Sequence, residues 1–100
     1  RNMQEGGKRI NLKVVTQDGN EFWFRCKVNT PLESLMNAFC NRQGISTNSV
    51  RFLFDGDTIR ETQTPEDLDM ESGDVIDAMV ELPEGTLVIE EGNLRVITTT

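Results

Sequence analysis

The chain has 100 residues, with two cysteines, Cys26 and Cys40, and no histidine. A thiol attacks as its thiolate, and needs a neighbouring base or cation to form it. Without histidine the usual general base is missing, and with it Ser-His-Asp catalysis and most zinc sites. The cysteines are not spaced as a metal or redox pair, so they read as reduced packing residues. Asp55-Gly56-Asp57 offers two carboxylates, but the spacing does not match an EF-hand loop. These residues point to no enzyme, no cofactor and no metal. What remains is recognition chemistry. Phe22, Phe24, Cys26, Leu35 and Phe39 can line an apolar trough, and Arg25, Lys27 and Arg42 can supply its cationic rim. Asp55 to Glu81 is of the opposite sign, with ten carboxylates and one arginine, Arg60.

A trough of this kind needs a strand followed directly by a helix. From Phe22 to Val28, alternation puts Phe22, Phe24, Cys26 and Val28 on one face and Trp23, Arg25 and Lys27 on the other. Leu32, Leu35, Met36 and Phe39 then recur at the spacing of one buried helical stripe. Thr30-Pro31-Leu32-Glu33 reads as a capping box that starts this helix, with Thr30 as the N-cap. Gln43-Gly44 ends it. An extended peptide could add to the exposed edge of the strand through its main chain, with alternate side chains filling the trough. The basic rim favours acidic residues or phosphates beside the peptide's apolar run.

The net charge is −7, which argues against a general nucleic-acid binder. No apolar run approaches the roughly 20 residues of a membrane span. Residues 1–8 read as a flexible leader. Ile10, Leu12 and Val14 alternate with polar residues, and Asp18-Gly19 predicts a hairpin to the following strand. Ser46 to Ser49 read as polar loop. Val50 to Phe54 and Thr58 to Arg60 read as strands. Thr64-Pro65-Glu66-Asp67 repeats the Thr-Pro capping pattern, and Val75 to Val80 is apolar enough for a central strand. The class is α+β, a mixed sheet packed on one helix.

Several runs carry a family resemblance. They are Ile10-Asn11-Leu12-Lys13-Val14, Met36-Asn37-Ala38-Phe39-Cys40, Arg42-Gln43-Gly44, Asn48 to Gly56, and Gln63 to Glu71. Through them residues 9–81 resemble the small ubiquitin-like modifier, SUMO. The resemblance implies a ubiquitin-like β-grasp roll of order ββαββ. It implies covalent attachment to lysines through a C-terminal Gly-Gly, and capture of short hydrophobic motifs at the trough named above. It further implies conjugating enzymes and proteases as partners, and a nuclear and cytoplasmic location. Asp55, Asp57, Glu66, Asp67, Asp69, Glu71 and Asp74 are then the candidate docking face for a basic partner such as the conjugating enzyme. Such a face mainly raises the on-rate.

The chain departs from the family after Glu81. Where the family continues Gln-Thr-Gly-Gly, this sequence reads Leu82-Pro83-Glu84-Gly85. Glu84 adds bulk and charge where a side-chain-free pair must thread a narrow enzyme channel, and Pro83 fixes the backbone before it. The expectation is a chain that is not conjugated as it stands. Residues 82–100 read as an appended tail with a hairpin, Thr86 to Glu90 and Leu94 to Thr98 around Glu91-Gly92-Asn93. The leading expectation is a SUMO-like module binding hydrophobic peptides between its second strand and its helix. The alternatives are a covalent modifier in precursor or variant form, and a solubilising fusion carrier for a hairpin that self-associates through residues 86–100.

Overall fold

The computed structural model describes residues 7–81, 87–90 and 93–96. The first hairpin forms where Asp18-Gly19 predicts it, joining β1 (Arg9–Thr16) to β2 (Glu21–Lys27). Gly19 sits at φ +92°, a conformation that a side chain would strain. Its N–H donates to the Thr16 carbonyl, and the Thr16 N–H donates to the Asn20 carbonyl, both at 2.9 Å. The Thr16 hydroxyl donates to the Asp18 carboxylate, and this bond holds the carboxyl below its ordinary value of 3.8. A depressed carboxyl stabilises the turn above that pH, and the contribution is lost as pH falls through the lower folded value.

The antiparallel register sets Ile10 against Cys26, Leu12 against Phe24 and Val14 against Phe22. Val28 N–H also donates to the Lys8 carbonyl at 2.9 Å, so the ordered pairing takes in the last residue of the expected leader. Residues 1–6 lie outside the described residues. β3 (Val50–Phe54), β4 (Asp57–Thr58) and β5 (Val75–Val80) complete a five-stranded sheet of order β2-β1-β5-β3-β4. β5 is central, parallel to β1 and antiparallel to β3. Its Ile76 and Ala78 are fully buried, which is why that run carries so few polar residues on one face.

The helix, α1 (Glu33–Gln43), covers the inner face with Leu35, Met36, Phe39 and Cys40. Phe39 is the centre of the core, edge-on to Phe22 at 5.5 Å and to Phe52 at 5.6 Å. Gly44 ends α1 in the left-handed conformation at φ +71°, its N–H directed at the Asn41 and Cys40 carbonyls.

Three local expectations need correction. α1 starts at Glu33, and no side chain caps it. Thr30 is not its N-cap. The Leu32 and Glu33 N–H groups instead donate to the Gln63 and Glu61 carbonyls at 2.8 and 3.1 Å, so a distant loop supplies acceptors that a cap would have supplied. The capping box appears at the second Thr-Pro pair. Thr64 N–H donates to Asp67 Oδ2, and Asp67 N–H donates to Thr64 Oγ1, each at 3.0 Å. Ser46–Ser49 is not plain loop either, because Thr47–Ser49 is a 3₁₀ turn whose Asn48 N–H donates to Ser46 Oγ. The strand expected over Thr58–Arg60 is Asp57–Thr58, with Ile59 buried and its N–H on the Phe52 carbonyl.

In the tail, β6 (Leu87–Glu90) pairs antiparallel with β7 (Asn93–Val96), Leu87 against Val96 and Glu90 against Asn93. This is the expected hairpin, except that Asn93, expected in the turn, is the first residue of β7. Its intervening Glu91-Gly92, with Thr86, Ile97 and Thr98, lies outside the described residues. β6 and β7 form a sheet separate from the first.

The capping assignments make a paired prediction. Thr64→Ala should cost about 1 kcal/mol. Thr30→Ala should stay within about 0.5 kcal/mol of the unaltered chain. Urea unfolding of both variants measures the difference.

Candidate functional site

β2 is an edge strand, paired with β1 on one side only. Among the described residues nothing pairs with its other side, so alternate N–H and C=O groups there face outward. α1 crosses the sheet beside that edge, and between the two lies a hollow of about 370 Å³. Phe24, Cys26, Leu32, Leu35, Pro31 and Ala38 supply its apolar surface, with Thr30 and Ser34 beside them. Three cationic residues, Arg9, Arg25 and Lys27, complete the lining, and no carboxylate does.

Of the eight residues named for the trough, five line it: Phe24, Arg25, Cys26, Lys27 and Leu35. Phe39 does not, which corrects the expectation. It lies a layer deeper, with no exposed surface, because its ring fills the space between Phe22 and Phe52. Phe22 is half-buried at the far end of the strand and leans on that core. Arg42 is drawn off the rim onto the ring of Phe24, 4.8 Å from guanidinium carbon to ring centroid. A cation over an aromatic face at that range contributes roughly 0.5–1 kcal/mol at an exposed position. It also fixes the ring that walls the hollow. Arg25 stands on the outward row of β2, where its Nη1 donates to Asn11 Oδ1 at 3.4 Å.

Arg9, Thr30, Pro31, Leu32, Ser34 and Ala38 also line the hollow and were not assigned to it from the sequence. A two-residue Asp18-Gly19 turn would set Arg9 opposite Val28; the loop is one residue longer, Gln17 to Gly19, and sets Arg9 opposite Lys27 instead. Pro31, Ser34, Leu35 and Ala38 recur at i, i+3, i+4 and i+7. Serine and alanine hide that stripe from a reading that tracks large apolar residues only.

Burial pushes the Cys26 thiol above its ordinary value of 9.0. The same cause raises Cys40. Both therefore stay protonated at neutral pH, as packing thiols do. Among the described residues no three His, Cys, Asp or Glu side chains come together as a metal site, and no helix is long and apolar enough to cross a membrane.

The acidic residues lie along the turns from β3 to β5, which come back to the first hairpin, where Glu66 N–H donates to the Val28 carbonyl at 2.9 Å and Lys13 N–H to the Asp74 carbonyl at 3.0 Å. Asp55 and Asp57 flank the β3–β4 turn, Glu66, Asp67 and Asp69 lie in the following turns, and Glu71 and Asp74 lead into β5. Two of these carboxylates hold backbone. Asp67 takes the Thr64 N–H, and Asp74 Oδ2 accepts from Glu71 N–H at 2.8 Å. Asp55 and Asp69 both sit at φ +53°, a conformation aspartate tolerates better than most residues. On the opposite side, Trp23 faces outward and is 53% exposed. The Lys13 Nζ stands 5.5 Å from its ring centroid and 3.6 Å from Glu21.

The topology is that of a ubiquitin. The structure titled Caldiarchaeum Subterraneum Ubiquitin matches with a TM-score of 0.71, covering 76% of this chain and 98% of that one, at 17% identity. At that identity the likeness shows the fold alone. The sequence narrows it. A family model described as Rad60-SLD, "Ubiquitin-2 like Rad60 SUMO-like", matches residues 10–80, and this chain belongs to that family. Small ubiquitin-related modifier 2 of Arabidopsis thaliana is 58% identical over 74 residues, 74% of this chain and 72% of the relative. SUMO from Trypanosoma brucei is 53% identical in a structure with a TM-score of 0.68, covering 85% of this chain and 83% of that one. The SUMO resemblance and the β-grasp fold read from the sequence are therefore established.

The raised Cys26 thiol is testable. Its alkylation by iodoacetamide near neutral pH should be slower than that of glutathione, and should climb steeply only as pH passes 9.0. Peptide mapping by mass spectrometry separates it from buried Cys40.

Proposed function

We propose that this chain is a non-enzymatic SUMO-like interaction module that takes a short hydrophobic, acid-flanked peptide as an added strand on β2. One observation carries the reading. In a chain of net charge −7, the hollow beside the open strand edge is lined by three cationic residues and no carboxylate. A guest backbone would satisfy the outward N–H and C=O groups of β2, and its alternate side chains would enter the apolar hollow between Phe24 and Leu35. Arg9, Arg25 and Lys27 would then meet carboxylates flanking the apolar run. Charge complementarity of this kind selects partners and speeds encounter more than it deepens affinity. The carboxylate-rich turns from Asp55 to Asp74 are proposed as a separate docking face for a basic partner, such as a conjugating enzyme or protease.

A designed peptide, Val-Ile-Val-Ile-Glu-Glu-Glu, tests the groove. Arg25→Glu should weaken its binding about tenfold, roughly 1.4 kcal/mol, and binding to the unaltered chain should fall as salt rises. Replacing the three peptide glutamates by glutamine should abolish the difference between the two proteins. Fluorescence anisotropy reads all four combinations. An Arg25→Glu variant that binds the acidic peptide undiminished would remove the basic rim from the account.

The second reading is a covalent modifier, the role that the printed name of the Arabidopsis relative gives it. It needs a slim glycine pair, and Glu84-Gly85 stands at that position in this sequence. Incubation with SUMO-activating enzyme, conjugating enzyme and ATP should give no thioester adduct, and Pro83→Thr with Glu84→Gly should restore substrate character once the chain is cut after Gly85.

A further inference from the structure

We propose that β6 of one copy adds to the open edge of β2 in a second copy, so that this chain is both guest and host. This rests on the peptide-capture reading above. The first support is a match face by face. β6 reads Leu87-Val88-Ile89-Glu90. The β6–β7 register sets Leu87 opposite Val96 and Ile89 opposite Leu94, and residues directly opposite in a ladder share a face. Those four aliphatic residues therefore lie on one face of the hairpin, with Val88 and Glu90 on the other. β2 is divided in the same way. Phe24 and Cys26 lie on its α1 side and line the hollow, while Arg25 and Lys27 belong to the alternate row. An added strand with Leu87 and Ile89 on the α1 side brings Glu90 to the row of Arg25 and Lys27. Running parallel to β2, it puts Glu90 at the Lys27 end, where Arg9 lies opposite Lys27.

The second support is charge. From Glu81 to Glu91 the sequence carries four glutamates and no lysine or arginine, whereas the hollow is lined by three cationic residues and no carboxylate. The hairpin's own cation, Arg95, is on β7, one strand further from the host edge. Opposite charges meeting across an added strand select this guest among apolar ones. Both edges are also free. Among the described residues β6 is bonded to β7 alone, and β2 to β1 alone. No lysine or proline blunts β6. An isolated two-stranded hairpin is marginal in water, so a further strand partner stabilises it.

The third support is reach, which excludes the chain's own hollow and leaves that of a neighbour. β5 ends at Val80, just past the Thr16–Ala78 pair, and Phe24 lies opposite Leu12. A strand beside Phe24 on the open edge of β2 is about six residues back along the sheet and three strand spacings across, roughly 24 Å away. The six steps from Glu81 to Leu87 span at most about 20 Å, and the hairpin accordingly forms a sheet of its own. Held off its own groove yet matched to it, β6 is free for the groove of a second copy. Each copy then offers one host edge and one guest strand, a heterologous contact. A contact one short strand wide is small for a protein interface, so it forms only at concentrations of about 100 μM and above.

Sedimentation velocity on the full chain and two variants tests this. Val88→Asp with Ile89→Asp spoils the guest strand and leaves the groove intact. Arg25→Glu weakens the groove and leaves the guest strand intact. The mass of the unaltered chain should rise with concentration. The tail variant should stay monomeric, and Arg25→Glu should move the onset about tenfold higher in concentration. An equimolar mixture of the two variants should associate near the onset of the unaltered chain and approach twice the monomer mass, because the sound groove of one meets the sound strand of the other. A tail variant that associates undiminished would overturn β6 as the guest. Association lost in the tail variant, untouched by Arg25→Glu and not rescued by mixing assigns the hairpins to each other and overturns β2 as the host. An unaltered chain that stays monomeric up to about 1 mM while binding the Val-Ile-Val-Ile-Glu-Glu-Glu peptide overturns self-pairing and leaves peptide capture standing. If it neither associates nor binds the peptide, peptide capture falls, and self-pairing with it.

Discussion

β2 is bonded on one side and open on the other, and the hollow beside it depends on that asymmetry. The inner half of its backbone is satisfied by β1 in a continuous antiparallel register from Arg9–Lys27 to Val15–Glu21. The outer half has no such partner in the five-stranded sheet. Exposed edges invite other chains, and folded proteins usually blunt them with charge or cover. Here the edge carries Arg25 and Lys27, charges of the kind that blunt an edge without covering it. The helix then converts an open edge into a shaped one. It stands beside β2 and contributes Leu32, Leu35 and Ala38 to a wall facing Phe24 and Cys26.

That geometry also explains how a strongly acidic molecule can present a basic feature. The carboxylates are spent in the turns between β3 and β5, where Asp67 and Asp74 hold backbone N–H groups and Asp55 and Asp69 take the left-handed conformation. Their placement is dictated by turn chemistry. Arg9 of β1 and Arg25 and Lys27 of β2 line the hollow beside α1, where no carboxylate joins them. One domain thus carries a groove lined by cations and a set of turns rich in carboxylates.

Much of this was legible in the residues. Asp18-Gly19 specified a hairpin because few alternatives satisfy both a tight turn and flanking alternation. The period-2 and period-3.6 patterns located β2 and α1 to within a residue or two, and the apolar run 75–80 announced a central strand. What was not legible was non-local. Thr30-Pro31 and Thr64-Pro65 look alike as capping signals, and only the arrival of the Glu61–Gln63 carbonyls over α1 makes the first one idle. Phe39 fits a trough by spacing, yet it sits beneath the trough, since depth is set by how far Phe22 and Phe52 approach from two different strands. Arg9 escaped notice because its role comes from a partner across the hairpin, Lys27, and not from its own neighbours.

The idle cap at Thr30 leaves the start of α1 dependent on distant chain. Two donors in the opening turn of α1 are met by carbonyls from a segment roughly thirty positions downstream. Before that segment closes over the helix only water can meet those N–H groups, whereas Gly44 closes a local motif at the other end. Loop closure over such a span carries an entropic cost that local turns avoid. The β1–β2 turn and the back of the helix are held by nearby chain, whereas the wall of the trough at Pro31 and Leu32 is held by carbonyls from a distant loop.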